Sequence, residues 1–156
     1  MSGDRFYTFR GYEIMRQDQK ILTPSMEDYL EMIYRYSIEK GNIRINVLAN
    51  LLNVQTPSAS KTVRRLHELG FIKYEGYGIV ALTSSGSEVG AFLLNRHREV
   101  YEFLNNLGVV ENLLMDTEMI EHNISMETLG KVELFNEFCR VYPSIKEKFI
   151  VFCKER

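Results

Sequence analysis

The spacing of apolar residues changes period twice along this chain, and the changes mark out its elements. Met26, Tyr29, Leu30 and Ile33 recur at the three-, four- and seven-residue intervals of a buried helical stripe. Pro24 suits a first helical turn, Ser25 with Asp28 has capping-box spacing, and Gly41 is a natural stop. Ile45, Leu48, Ala49 and Leu52 then mark a short helix, Asn53-Val54-Gln55-Thr56-Pro57 a tight turn, and Ala59, Val63, Leu66 and Leu69 the buried side of a second helix. This is a helix-turn-helix pattern. From Phe71 the reading changes to strands: Phe71-Ile72-Lys73-Tyr74-Glu75 and Ile79-Val80-Ala81-Leu82 flank Gly76-Tyr77-Gly78, whose glycines permit a tight hairpin.

Helical spacing returns at Ser85, which has Glu88 at capping-box distance, and continues to about Leu107 through Val89, Phe92, Leu93, Arg96, Val100, Phe103 and Leu104. Gly108 ends that helix. A further helix is predicted over Val110 to Asn123, with Leu113, Ile120 and Ile124 opposite Glu118, Glu121 and His122. Another runs from Met126 to Phe138 with Ser125 as its cap, and beyond Pro143 the stretch Ile145 to Phe152 is apolar enough to pack, as either helix or strand. Residues 1–22 mix Phe6, Tyr7, Phe9 and Tyr12 with charges and show no period. The expected fold is mainly α. An N-terminal extension (1–22) precedes a winged helix-turn-helix domain (23–90), followed by an all-helical domain (91–156), to which the resemblance given below assigns metal binding and dimerisation.

Composition narrows the class. With 156 residues and 45% apolar content the chain can fold without staples. Its two cysteines, Cys139 and Cys153, have neither the number nor the spacing of a disulfide framework or a zinc site and read as buried small hydrophobes. No apolar run is long enough for a bilayer and no signal-peptide core stands at the N-terminus, so a cytoplasmic protein without membrane contacts is expected. The net charge of −2 conceals an asymmetry. From Gly41 to Glu75 the basic residues Arg44, Lys61, Arg64, Arg65 and Lys73 face only Glu68 and Glu75, whereas from Glu99 to Glu137 Lys131 is the one cation among nine acidic residues. A basic module followed by an acidic one suits a DNA reader joined to a part that binds cations or protein.

Within the reader, Lys61, Arg64 and Arg65 lie away from the apolar side of the second helix, and Ser58 and Ser60 stand near its start. Small hydroxyls and long cations there suit phosphates and base edges in a major groove, with Tyr77 at the wing tip over the backbone or minor groove. Taken alone, these residues could equally form a solvated basic face. The hairpin that follows argues for the reader.

A second set of side chains has metal chemistry. Asp28 and Glu31 are i and i+3 on one helix, Glu118, Glu121 and His122 are i, i+3 and i+4 on another, and His97 falls at the edge of the long stripe between them. Separately, each reads as a solvated acidic face or a boundary histidine. Together they offer four carboxylates and two imidazoles. A di-metal enzyme is disfavoured, because such sites use repeated Glu-x-x-His pairs and none occurs here, nor does a nucleophile elbow or a P-loop. His67, on the proposed recognition helix, reads as exposed or near DNA. No organic cofactor is expected.

Thr23 to Glu31, Pro57-Ser58-Ala59-Ser60-Lys61, Leu82-Thr83-Ser84-Ser85-Gly86, Arg96-His97 and Glu118-Met119-Ile120-Glu121-His122, in this order and at these intervals, resemble the manganese transport regulator branch of the diphtheria toxin repressor family. The resemblance covers about Thr23 to Phe138. It implies a homodimer with a winged-helix reader and a helical dimerisation domain, which binds a double-stranded operator when divalent metal is present and represses metal uptake. It also implies that Asp28, Glu31, His97, Glu118, Glu121 and His122 form a site for two Mn²⁺ per subunit. The iron-sensing branch carries methionine and cysteine at the positions of Asp28 and Glu118, so hard oxygen donors agree with manganese. Alternatives are a winged-helix regulator answering to Fe²⁺, Zn²⁺ or another divalent metal, or to no metal. Residues 1–22 and the tail from Cys139 depart from the short members of the branch, and the SH3-like domain of the iron branch has no counterpart here.

Overall fold

The computed structural model describes residues 11–14 and 22–156; the remainder of the expected N-terminal extension lies outside the described residues. The elements are α1 (Pro24–Lys40), β1 (Ile43–Arg44), α2 (Ile45–Leu51), α3 (Thr56–Glu68), β2 (Ile72–Glu75), β3 (Ile79–Leu82), α4 (Ser84–Asn106), α5 (Leu113–Glu121), α6 (Met126–Val141) and α7 (Pro143–Lys154). They form two compact units, Met1–Leu94 and Asn95–Arg156, and the division falls inside α4. Among the described residues no helix is long and apolar enough to cross a membrane.

The first unit is a winged helix. Met26, Tyr29, Leu30 and Ile33, the stripe anticipated on α1, are all buried. The N-cap of α1 is Thr23, whose hydroxyl accepts from the Met26 amide at 3.3 Å, and not Ser25. Pro24 explains the correction: its fixed φ is already helical, so the extended cap must precede it. Gly41 ends α1 at φ 80°. A three-stranded antiparallel sheet of order β1-β3-β2 closes the unit. Its edge β1, which has no signature of its own in the sequence, pairs Ile43 with Val80, while β2 and β3 pair from Ile72–Leu82 to Glu75–Ile79.

Two close approaches lock this unit. A Cβ at Gly86 would lie 1.8 Å from the Phe71 carbonyl oxygen, so α4 enters against the sheet only with glycine there. The start of α4 is capped by Thr83, whose hydroxyl accepts from the Gly86 amide at 3.1 Å and reaches the Gly70 and Phe71 carbonyls at 2.7 and 3.0 Å. The local Ser85–Glu88 spacing loses to Thr83 because a tertiary partner, the Phe71 segment, selects it. Ahead of α1, residues 11–14 form a helical turn with Tyr12 against Phe92, ring centroids 5.8 Å apart.

In the second unit α5 is shorter than the predicted Val110–Asn123, and α6 runs on to Val141. The stretch after Pro143 resolves as helix α7. Ser125 does cap α6, accepting from the Thr128 amide at 3.2 Å. Asn136, fully buried on α6, ties that helix to α4: its Nδ2 donates to the Glu99 carbonyl at 2.9 Å and to the Glu99 carboxylate at 2.7 Å, and its Oδ1 accepts from Asn106 at 3.1 Å. Burial pushes the Glu99 carboxyl above its ordinary value, against the opposing effects of the Asn136 hydrogen bond and Arg140. Of the cysteines, Cys139 is buried as expected, but Cys153 is exposed on the outer side of α7.

Candidate DNA-reading surface and metal-ligand cluster

On α3 the apolar and charged positions separate cleanly. Ala59, Val63 and Leu66 are fully buried, which fixes the rotation of the helix and leaves Lys61, Arg64 and Arg65 exposed on the opposite side. Ser58 is exposed and Ser60 half-buried at the helix start. Pro57, Ser60, Lys61, Arg64, Arg65 and Glu68 line one open depression along this face. Arg65 pairs with Glu68 at 3.2 Å, but with both ends in solvent such a pair contributes little. His67 is exposed, and its Nδ1 lies 3.0 Å from the Ile72 carbonyl oxygen.

The wing holds an unexpected feature. Both Tyr77 (φ 70°, ψ 13°) and Gly78 (φ 70°) are left-handed. Glycine adopts this region freely, but for an aromatic residue it is strained. Tyr77 is nevertheless 96% exposed, so no packing among the described residues explains its presence at the tip.

The expected metal ligands fall in both units. Asp28 and Glu31 belong to α1 of the first, where the Glu31 carboxylate accepts from the Arg35 guanidinium one turn later. In the second unit, α4 and α5 bring three of the remaining four together. The Glu121 carboxylate, 2% exposed, has one oxygen 2.9 Å from His97 Nδ1 and the other 3.8 Å from His122 Nε2. Tyr101 stacks on His97 with ring centroids 6.3 Å apart. Glu118 stands exposed one turn before Glu121. A dry carboxylate flanked by two imidazoles is a hard and borderline donor set that fits Mn²⁺, Fe²⁺ or Zn²⁺.

The anticipated apolar side of α5 is not its buried side. Thr117 and Glu121 are buried, whereas Leu114, Met115, Met119 and Ile120 are 40–65% exposed. Arg96 was legible only as part of the α4 stripe. It is 5% exposed, and its guanidinium lies 3.3 Å from His122 Nδ1. A cation in an otherwise apolar stripe was the signal for such a contact.

A winged-helix reader with a basic recognition helix, in one chain with a buried carboxylate–imidazole cluster, defines a class: DNA-binding regulators that answer to a metal. Residues 21–80 match the iron dependent repressor N-terminal DNA binding domain, and residues 83–150 match the iron dependent repressor metal binding and dimerisation domain. The HTH-type transcriptional regulator MntR of Oceanobacillus iheyensis is 40% identical over 118 residues, spanning 74% of this chain and 80% of that protein. Its counterpart in Shouchella clausii is 38% identical over 111 residues, spanning 70% and 78%. The crystal structure of the metal-dependent transcriptional regulator MtsR superposes with a TM-score of 0.67 at 25% identity, covering 75% of this chain and 55% of that one. The chain belongs to the diphtheria toxin repressor family, in its MntR branch. It is therefore a metal-dependent DNA-binding transcriptional repressor, and its family is one of regulators rather than enzymes.

Proposed function

We propose that this chain is a manganese-activated repressor that binds a double-stranded operator as a homodimer in the cytoplasm and controls metal uptake. The observation that carries the reading is the Glu121 carboxylate, buried between His97 and His122 in a chain that also holds a reader with exposed cations. Asp28, Glu31, His97, Glu118, Glu121 and His122 are the proposed ligands, for two Mn²⁺ per subunit. Glu118 and Asp28 contribute oxygen where the iron branch has sulfur, which favours the harder metal. The relatives' regulator names and the manganese-branch spacing of the six residues support the same assignment.

When bound, the metal would supply a divalent charge to these carboxylates and imidazoles. It would shift DNA binding only by the difference in its affinity between competent and incompetent arrangements of the chain. The chain's own residues do the rest. Lys61, Arg64 and Arg65 meet phosphates and base edges, with Ser58 and Ser60 at the leading end of the helix and Tyr77 on the adjacent backbone. The exposed apolar residues of α5, Leu114, Met115, Met119 and Ile120, suit the contact with a second subunit.

The test is a DNA-binding titration with Mn²⁺, Fe²⁺, Zn²⁺ and chelator, using DNA upstream of the protein's own gene. Mn²⁺ should promote binding and chelator should abolish it. Glu31→Ala and His122→Ala should weaken manganese binding and metal-dependent DNA binding together; unchanged manganese titrations in both would remove the site. Asp28→Met combined with Glu118→Cys should move activation towards Fe²⁺, and an unaltered preference would place selectivity elsewhere.

A further inference from the structure

We infer that Arg96 is a built-in competitor for the metal at His122, so that ligation by this histidine and its contact with the Arg96 guanidinium exclude each other. The inference rests on the metal site proposed above and concerns residues of the second unit alone. Arg96 is 5% exposed, and its Nη2 lies 3.3 Å from His122 Nδ1. A guanidinium can only donate, so Nδ1 must be the accepting nitrogen of the ring. A neutral imidazole has one bare nitrogen. With Nδ1 accepting, the proton sits on Nε2, which faces the Glu121 carboxylate at 3.8 Å.

A cation can therefore reach His122 in two ways, and both break the contact. Ligation through Nδ1 takes the lone pair that Arg96 uses. Ligation through Nε2 moves the proton to Nδ1, which then has nothing to accept with and turns an N–H towards a cation. The exclusion is specific to the histidine. The carboxylate of Glu31, which holds Arg35, has lone pairs enough to serve a guanidinium and a metal together. The Arg96 charge adds to the effect, because a permanent cation buried beside the donors opposes a divalent ion where solvent screens little. Arg96 thus weakens the site and sets the metal concentration at which the repressor responds.

The experiment compares Mn²⁺ affinity of the full-length wild type, Arg96→Met and Arg96→Lys by calorimetry, and reads the His122 tautomer by nitrogen-15 NMR. Arg96→Met, which keeps an unbranched apolar stem and removes both donor and charge, should bind Mn²⁺ at least about tenfold more tightly. Arg96→Lys, which keeps the charge on a shorter-reaching head, should fall between. In a His122→Ala background the gain from Arg96→Met should shrink, since only the charge remains to be removed. In metal-free wild type at mildly alkaline pH, His122 should carry its proton on Nε2, and diamagnetic Zn²⁺ should end the Arg96 contact. Manganese binding no tighter in Arg96→Met, an undiminished gain without His122, or a metal-free His122 protonated on Nδ1 would each overturn the inference and leave the metal site standing. Absence of manganese binding in wild type would remove both. Should Arg96→Met not fold, the tautomer measurement on the unsubstituted protein decides.

Discussion

Helices α3 and α5 carry the side chains proposed above for DNA and for metal, and their anatomies are opposite. Helix α3 buries Ala59, Val63 and Leu66 and exposes its cations, while α5 buries Thr117 and Glu121 and exposes Leu114, Met115 and Met119. The difference suits the ligand proposed for each. DNA is met in solvent by long side chains whose charge is screened until contact, so an ordinary amphipathic helix serves. A small cation would be held by short side chains gathered in a dry place, and here Thr117 and Glu121 turn inward while Glu118 stays exposed. The apolar side of α5 is then left for another surface, as a dimerisation domain requires.

The largest effect is expected at Glu121. Glu121→Ala should weaken metal binding beyond the about 10–100-fold typical of an outer-shell change, because it removes the carboxylate that touches both imidazoles. Isothermal titration with Mn²⁺ checks it, and an affinity within threefold of wild type would mean that the buried carboxylate is structural. Gly86→Ala tests whether the reader has a buried requirement of its own. The added Cβ meets the Phe71 carbonyl at 1.8 Å, and overpacking of this kind costs about 1–3 kcal/mol, visible as a lower urea midpoint.

Arg64→Ala should act in the opposite manner to Glu121→Ala. Being exposed, Arg64 should leave the melting temperature unchanged while DNA affinity falls by about tenfold and the salt slope drops by about one ion. A destabilised variant, or one with full DNA affinity, would contradict the division of labour. Tyr77→Gly sharpens it further, since relief of the left-handed strain should raise stability by about 1 kcal/mol while DNA binding weakens. Stability gained with DNA affinity intact would show that the tyrosine has no part in reading.

The smallest effect concerns pH. Burial raises the folded-state pKa of Glu99 above its ordinary 4.5, so its stabilising contribution is complete below that value and is lost as pH rises through the folded-state value. Glu99→Gln keeps an acceptor for Asn136 and removes the titration. Its denaturation midpoint should therefore gain on wild type between mildly acidic and neutral pH, and parallel profiles would assign the slope to other groups.

Much of the reader was legible because its signals are local. The α1 stripe, the two helices around the Asn53 turn and the hairpin all follow from residues a few positions apart, and burial in the folded unit agrees with them at Leu30, Val63 and Val80. Strand β1 was not legible, since two residues carry no period and Ile43 is recruited by Val80 across 37 positions. The cap at Thr83 was missed for the same reason.

The order of elements, the cations on α3 and the candidate ligand types are written in short segments, because helical and strand periods and side-chain chemistry are local properties. That Glu121 lies between His97 and His122, that α5 buries Thr117 and Glu121, and that Arg96 reaches His122 come from long-range packing alone. These depend on how α4 and α5 pack across more than twenty intervening residues. A helix repeat specifies which side chains share a face, but the neighbour chosen by packing specifies which face is dry.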